Sequence, residues 1–181
     1  NVTALEELEP FGASCPRPLL YLEGMRVEQL SEVGGGKHLK LRLSRHGRML
    51  DGIFFSTTAC KAAIAMGDVV EVAFSPQINE FRGLRTVQLN ITDIRPSLAC
   101  RQAMERERKI YACLVGNGAK NLDWDSLIPP RREFAAVWRY LRDNSAGGSV
   151  MDEFTVLSRK IARSAGMPVS FVRTRICLDV L

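Results

Sequence analysis

Residues that build catalytic and metal centres are scarce in this chain. It contains two histidines, His38 and His46, and neither has a carboxylate partner at a useful spacing. No nucleophile elbow, Walker loop or dinucleotide-binding fingerprint is present. The five cysteines are scattered, with no pair spaced as Cys-x-x-Cys, which argues against a zinc site or a disulfide framework and for a reducing cytoplasm. We therefore expect no catalytic residue, metal or cofactor in this chain.

Long apolar runs are absent as well. No run approaches the roughly 20 apolar residues that a membrane-spanning helix needs, and nothing at the start is typical of a signal peptide. We expect no membrane partner. The chain begins with Asn1 and stops at Leu181 inside a helical pattern, so we interpret both ends as cuts in a longer protein.

Charge is unevenly distributed along the 181 residues. Residues 1–96 hold 11 basic and 11 acidic side chains, which cancel, whereas residues 97–181 hold 14 and 9. The whole net charge of +5 therefore falls in the second half. This modest excess suggests a polyanionic partner but is weak evidence by itself.

The most informative stretch runs from Lys37 to Arg48. Leu39, Leu41 and Leu43 alternate with polar residues, which is the period of a strand with one buried and one solvated face. The solvated face carries cations and no acid. Such a face could follow a phosphate backbone, or its charges could merely deter edge-to-edge association of sheets. The candidate nucleic-acid-binding residues are Lys37, His38, Lys40, Arg42, Arg45 and Arg48, together with Phe81, Arg82, Arg85 and Gln88 near the last hairpin.

Binding of single strands also needs flat side chains on which bases can stack. Phe81 and Phe55 are the candidates, and either could instead belong to the core. His38 could stack or touch phosphate, or it could be a surface histidine without a role.

The pattern of strands and turns over residues 19–96 predicts a small closed barrel. Four strands are expected at 20–33, 37–44, 48–55 and 69–74, and a fifth follows the turn at Phe81-Arg82-Gly83. A short helix over 59–66 is expected between the third and fourth strands. Five strands with one helix in that position form the layout of an OB-fold barrel. An SH3-type barrel, which does not need the helix, is the alternative.

Residues 97–181 predict a small, mostly helical domain. Helical patterns cover 98–114, 131–142 and 151–164, and a last helix begins at Pro168 or Ser170. Between the first two helices, we expect the connection to be fixed to a core by Trp124, Leu127 and Ile128.

The last two helices are separated by a short turn, and Arg173 and Arg175 are expected on the outer face of the final helix. This outline is typical of a helix-turn-helix or winged-helix unit that binds DNA. A plain structural or protein-contacting bundle is the alternative.

Several stretches, in matching order and spacing, resemble the carboxy-terminal part of the RecJ family of bacterial 5′ to 3′ single-strand-specific DNA exonucleases. They cover about the first hundred residues. One departure is Ser14-Cys15-Pro16-Arg17-Pro18, where the family has a Gly-Asn-Pro-Glu-Pro type of linker. The matching stretches are Leu5–Gly12, Gly36–Leu43, Gly67–Phe74, Asn79–Arg85 and Val87–Pro96.

The resemblance implies that residues 1–18 are a linker from a missing nuclease core and that 19–96 form the OB domain, which grips single-stranded DNA in recombination and repair. It also implies a parent enzyme of the DHH phosphoesterase superfamily, which uses manganese or magnesium held by aspartates and histidines. None of those metal motifs occurs here. Residues 97–181 resemble the extra carboxy-terminal domain of some RecJ proteins, through Pro130–Phe134 with Tyr140-Leu141.

Three functions remain open at this point. The first is the single-stranded-DNA-binding part of a RecJ-like exonuclease. The second is a protein-interaction module that docks the nuclease core, a single-strand-binding protein or a helicase. The third is a free-standing OB protein that binds tRNA or another RNA.

Overall fold

The computed structural model describes residue 11 and residues 16–81, 83–116, 122–145 and 153–181. The chain divides into two compact units between Ser97 and Leu98. The first unit contains the strands β1 (Leu20–Val33), β2 (His38–Arg45), β3 (Arg48–Phe54), β4 (Val69–Phe81) and β5 (Leu84–Pro96). The second contains the helices α1 (Leu98–Val115), α2 (Trp124–Leu127), α3 (Arg131–Asn144), α4 (Phe154–Ala165) and α5 (Phe171–Val180).

The five strands close into a barrel in the order β1-β2-β3-β5-β4. Neighbouring strands are antiparallel except β3 and β5, which run parallel. The prediction of a five-stranded OB-fold barrel followed by helices is confirmed.

Alternation along β2 builds the core of the barrel. Leu39, Leu41 and Leu43 are fully buried, and the residues between them face outward. Gly52 on β3 lies beside the neighbouring strand β5. A Cβ atom added at Gly52 would lie 2.8 Å from Cδ1 of Ile91 on β5. The missing side chain therefore lets β3 and β5 pack closely at this point.

Strand β1 bends and serves two neighbours, which closes the barrel. Its first part pairs with β4 and its second part with β2. The register with β4 shifts between Leu22 and Met25, around Gly24, whose φ is +69°. A second shift, against β2, lies between Val27 and Gln29. The positive φ, which glycine adopts without steric cost, lets β1 bend at Gly24.

The predicted helix over 59–66 is wrong, because the connection from β3 to β4 consists of turns. The Ala62 N–H donates to the Thr58 carbonyl at 3.0 Å, and this hydrogen bond closes one turn. The backbone of Ala63 then adopts a φ of +50°, which no helix continues through. Asp68 holds the end of the segment by accepting the Ala65 N–H at 2.7 Å. Ile64 is thereby placed in the barrel core.

Strand β4 is longer than predicted and continues through Pro76. Its pairing with β1 ends at Phe74, whereas its pairing with β5 runs from Val70 to Phe81. Proline is tolerated here because a strand edge needs no N–H donor on its unpaired side.

The helical unit has its own core where α3, α4 and α5 meet. Val137, Ile161 and Cys177 are fully buried in it. Helix α4 ends at Gly166 in the left-handed conformation, and the Ser170 side chain accepts the Arg173 N–H at the start of α5. Helix α1 has no buried residue and contacts α5 through polar groups: Glu107 accepts the Val172 N–H at 3.0 Å.

Two sequence expectations about the helical unit are wrong. Leu127 is buried, but Trp124 and Ile128 are exposed, so one residue of that connection reaches the core instead of three. Arg173 and Arg175 do not form an outward recognition surface. Arg173 pairs with buried Glu133, with 2.7 Å between Nη1 and Oε1. Arg175 lies over the Phe154 ring, 4.2 Å from its centroid, and pairs with Asp179.

Candidate nucleic-acid interface

The outer face of β2 carries the two central cations of the predicted site. Lys40 and Arg42 are exposed, because the residues that alternate with them fill the core. An outward strand of eight residues extends roughly 26 Å, at about 3.3 Å per residue. That length suits a surface which follows several phosphates of one strand.

Strand register extends this face into a polar row across the whole sheet. Arg42 is paired with Gln29 on β1 and with Asp51 on β3. Asp51 is in turn paired with Gln88 on β5, and Gln88 with Gln77 on β4. We call these five residues the polar row. It places amide and carboxylate groups, which can hydrogen-bond bases, beside a cation that can bind phosphate.

A second outward row lies next to the polar row. Lys40 is paired with Ser31 and Ile53, and Ile53 is paired with Asn90. Between the two rows lies a shallow polar groove of about 240 Å³, and it is lined by Gln29, Ser31, Lys40, Leu41, Arg42 and Asp51. Gln88 of the polar row is among the predicted site residues. The pairing that brings Gln29, Asp51 and Gln77 into one row with Arg42 was not predicted, because a sequence does not show which residues of different strands lie opposite each other.

Acidic side chains reach this face from neighbouring strands, which the β2 sequence alone did not indicate. Asp51 Oδ1 lies 3.2 Å from Arg42 Nε, and both side chains are about half exposed (48% and 46%). Glu28, at the irregularity of β1, accepts the Ser44 hydroxyl at 2.6 Å. An exposed ion pair of this kind contributes about 0–1 kcal/mol, so Arg42 can exchange Asp51 for a phosphate at little cost.

Three predicted arginines lie beside turns. Arg45 and Arg48 are paired across the β2–β3 turn, at one end of β2. Arg85 lies on β5 three residues before Gln88, at which the parallel pairing of β5 with β3 begins. Arg85 also lies 4.0 Å from Glu80 across the β4–β5 hairpin. Arg82 and the side chain of Phe81 lie outside the described residues.

Lys37 and His38 lie at the opposite end, where the β1–β2 turn meets β2. Lys37 is exposed. His38 Nδ1 accepts the Ser56 N–H at 3.1 Å, and its ring meets the Phe55 ring edge-on with 5.1 Å between centroids. An accepting Nδ1 leaves the proton of the neutral ring on Nε2. His38 therefore fixes the turn that presents Phe55, a half-exposed ring on which a base could stack.

Metal chemistry finds no support among the described residues. Within them, no three His, Cys, Asp or Glu side chains are grouped closely enough to hold an ion. The manganese or magnesium of a DHH phosphoesterase therefore does not fit this part of the chain. None of the described helices is long and apolar enough to cross a membrane.

Comparison with known proteins identifies the family. A family model described as the RecJ OB domain matches residues 1–93. The chain belongs to the RecJ OB domain family. The match takes in most of the barrel and leaves the helical unit outside it.

Curated relatives of the RecJ OB domain agree over the same region. The single-stranded-DNA-specific exonuclease RecJ of Bacillus subtilis is 26% identical over 94 residues, which are 51% of this chain and 12% of that protein. RecJ of Salmonella typhimurium is 36% identical over 95 residues, which are 51% of this chain and 16% of that protein. The chain thus spans less than a fifth of the length of the relatives it matches.

Among solved structures, RecJ from Thermus thermophilus in complex with Mg2+ is 25% identical. The match covers 59% of this chain and 18% of that one, with a TM-score of 0.42.

Proposed function

We propose that the barrel binds single-stranded DNA, as the DNA-gripping part of a RecJ-like 5′ to 3′ exonuclease in recombination and repair. The observation that carries this proposal is the polar row together with Lys40, on the exposed face of β2 and β3. OB folds bind oligonucleotides on the face of strands 2 and 3 and through the loops that join strands 1–2 and 4–5. Three of the predicted residues support this proposal: Lys40 and Arg42 lie on that face of β2, and Lys37 lies in the β1–β2 loop.

In this proposal, cations and polar groups have separate tasks. Lys40 and Arg42 would bind phosphates at the centre of the face, with Arg45 and Arg48 at one end of β2 and Lys37 at the other. Arg85 would add a cation beside the β4–β5 hairpin. The amides of the polar row would contact bases that pass over it, and Phe55 would stack. Since the cations contact the backbone, affinity would be largely independent of base sequence.

Hydrolysis would take place elsewhere in the parent protein. The relatives are named as single-stranded-DNA-specific exonucleases, and we propose that residues 1–18 link the barrel to their nuclease core. That core would hold manganese or magnesium and admit only a single strand. Residues 19–96 would then deliver DNA, and residues 97–181 would form a separate domain.

The proposal is tested by fluorescence anisotropy of this chain with a labelled single strand of about 20 nucleotides, longer than the site of one OB fold, and with its duplex. We expect tighter binding to the single strand, with affinity that falls steeply between roughly 50 and 200 mM salt. Replacing Lys40 and Arg42 together with alanine should lower the slope of log K against log salt by about 1.4, because two phosphate contacts are lost and each contributes about 0.7 on a single strand.

The control is Lys61→Ala, which removes one cation from the exposed β3–β4 connection. It should leave the slope within the error of the wild-type value. An unchanged slope in the Lys40→Ala/Arg42→Ala variant would remove this face from the proposed function.

A second candidate function is a protein-interaction module, for which the nuclease core, a single-strand-binding protein or a helicase are the possible partners. The observation in its favour is that Trp124 and Trp138 of the helical unit are both about half exposed. Exposed aromatic side chains are enriched in protein interfaces. Salt-insensitive, weak DNA binding together with a stable protein complex would select this function.

A further inference from the structure

Helix α3 carries exposed arginines around an exposed tryptophan. We call this surface the α3 ridge, and it consists of Arg131, Arg132, Trp138, Arg139 and Arg142. Arg131, Trp138 and Arg142 follow one stripe of the helix, since they are seven and then four residues apart. From Arg131 to Arg142 the stripe is about 16 Å long, at 1.5 Å per residue. Trp138 is 53% exposed.

The cations of the α3 ridge are not used to hold the helical unit together. In the part of the chain that the structure describes, Arg131 and Arg132 form no ion pair, and Arg139 Nε donates to the carbonyl of Ala135 in its own helix. Arg142 pairs with Asp143, which follows it. Arg173 and Arg175 of α5 differ, because both contact neighbouring helices. The ridge thus has cationic groups available for a ligand.

Grooves flank the ridge on both sides. One is open and largely apolar, with a volume of about 620 Å³, and its lining is Pro129, Arg131, Phe134, Ala135, Trp138 and Leu181. The other, of about 390 Å³, is more polar, and its lining includes Arg132, Arg139, Tyr140, Asn144 and one acid, Asp143. A nucleic-acid base could stack on Trp138 in the first groove. Phosphates could at the same time contact the arginines that lie between the two grooves.

We propose that the α3 ridge is a second contact surface for single-stranded nucleic acid, with a base stacked on Trp138 and phosphates bound by Arg131, Arg139 and Arg142. Cations that follow one line, with an aromatic ring among them, are what sequence-independent binding of single strands requires. Charge complementarity favours a polyanion over an apolar protein segment, because four arginines surround one tryptophan. The proposal does not depend on DNA binding by the barrel, and each can fail alone.

The first test uses Trp138 as its own reporter in the full chain. The sequence has two tryptophans, so Trp124→Phe leaves Trp138 as the only one. Titration with single-stranded oligo(dT) should quench its fluorescence to saturation, and added salt should reverse the quenching. The matched control is Trp138→Phe, which keeps Trp124 at a similar exposure and should show little change.

Two results would overturn the proposal. One is unchanged Trp138 fluorescence while anisotropy shows that the oligonucleotide is bound. The other is stronger quenching by a peptide rich in Asp and Glu than by oligo(dT), which would assign the ridge to an acidic protein partner. Repeating the titration in the Lys40→Ala/Arg42→Ala background separates the two surfaces, since quenching that persists there belongs to the ridge alone.

The second test removes the cations. Arg131→Ala/Arg139→Ala should weaken binding to the single strand about tenfold at low salt and lower the salt slope by about 1.4. Arg106→Ala, which removes an exposed cation from α1, should leave both values near wild type. Thermal melting of each variant shows whether the fold is kept. An affinity and slope equal to those of the Arg106 control would contradict the proposal.

Discussion

In the barrel, Lys40 and Arg42 extend from the solvent-exposed face of β2, whereas in the helical unit Arg173 and Arg175 reach across to neighbouring helices. The barrel half of the sequence has no net charge, and the helical half carries the entire excess. Counting charges would therefore not single out the exposed face of β2. A cation that is already held by other side chains of its own unit is less available to a partner than one that is exposed.

The two units also differ in how their buried carboxylates are paired. The barrel core is apolar, and the buried carboxylates beside it have partners: Asp68 accepts the Ala65 N–H and Glu71 pairs with Arg95. The helical core includes a buried carboxylate, Glu133, which is 2% exposed and whose Oε2 has no hydrogen-bond partner among the described residues. Arg173 is thus a structural residue, although its position in the sequence suggested a recognition residue.

The largest effect is expected from Arg173→Ala. It leaves the Glu133 carboxylate buried without its cation, and it also removes a donor to the Ser126 carbonyl. We expect a loss of about 3 kcal/mol in the free energy of unfolding, measured by urea denaturation. Arg106→Ala on the exposed side of α1 should change it by less than about 0.5 kcal/mol. Equal effects of the two substitutions on the free energy of unfolding would contradict the structural role of Arg173.

In the barrel, the corresponding test is Gly52→Ala. The new Cβ would meet Ile91 Cδ1 at 2.8 Å, and overpacking of this kind costs about 1–2 kcal/mol. Ile91→Val removes that Cδ1 atom, so the double variant should be more stable than the sum of the two single changes allows. Strictly additive changes in the free energy of unfolding, measured by urea denaturation, would show that the packing of β3 against β5 does not require a glycine at position 52.

A pH dependence is expected from Cys177 in the helical core. Burial, with a smaller contribution from the Glu133 charge, raises the pKa of its thiol from 9.0 to about 11. Between these values the unfolded chain loses a proton that the folded chain keeps. Stability is therefore complete below pH 9 and declines by about 2 kcal/mol as the pH rises towards 11, because one pKa unit corresponds to about 1.4 kcal/mol. Cys177→Ala should show a smaller decline over this range, as followed by thermal melting.

The smallest effect concerns the acid on the barrel face. Asp51→Asn removes the partner of Arg42 while keeping a hydrogen-bonding side chain in the polar row. Because an exposed pair is worth less than about 1 kcal/mol, affinity for single-stranded DNA should rise by roughly two- to fivefold. Anisotropy at low salt measures the change. Weaker binding would mean that Asp51 itself contacts the nucleic acid.

Local patterns were sufficient to predict the strands, the barrel and the outward direction of Lys40 and Arg42. The alternation of leucines along β2 fixes its two faces without any knowledge of the neighbouring strands. The polar row was not predictable, because it depends on the register between Arg42, Asp51 and Gln88. The helix over 59–66 was predicted from its alanines, but the positive φ of Ala63 and the hydrogen bond to Asp68 favour turns. The helical period placed Arg173 on an outer face of α5. The structure differs because α3 packs against α5 and brings Glu133 next to Arg173.

The parallel pairing of β3 with β5 has a consequence for how the barrel folds. Strands β1, β2 and β3 follow one another as antiparallel neighbours and can assemble from local contacts. Closure must wait for the β4–β5 hairpin, whose other partners β1 and β3 lie far away in the chain. Folds dominated by such distant contacts fold slowly, over milliseconds to seconds. During that wait, the edge of β3 and the leucine face of β2 are open to other chains, and the charges of Lys40 and Arg42 would oppose aggregation before they serve any ligand.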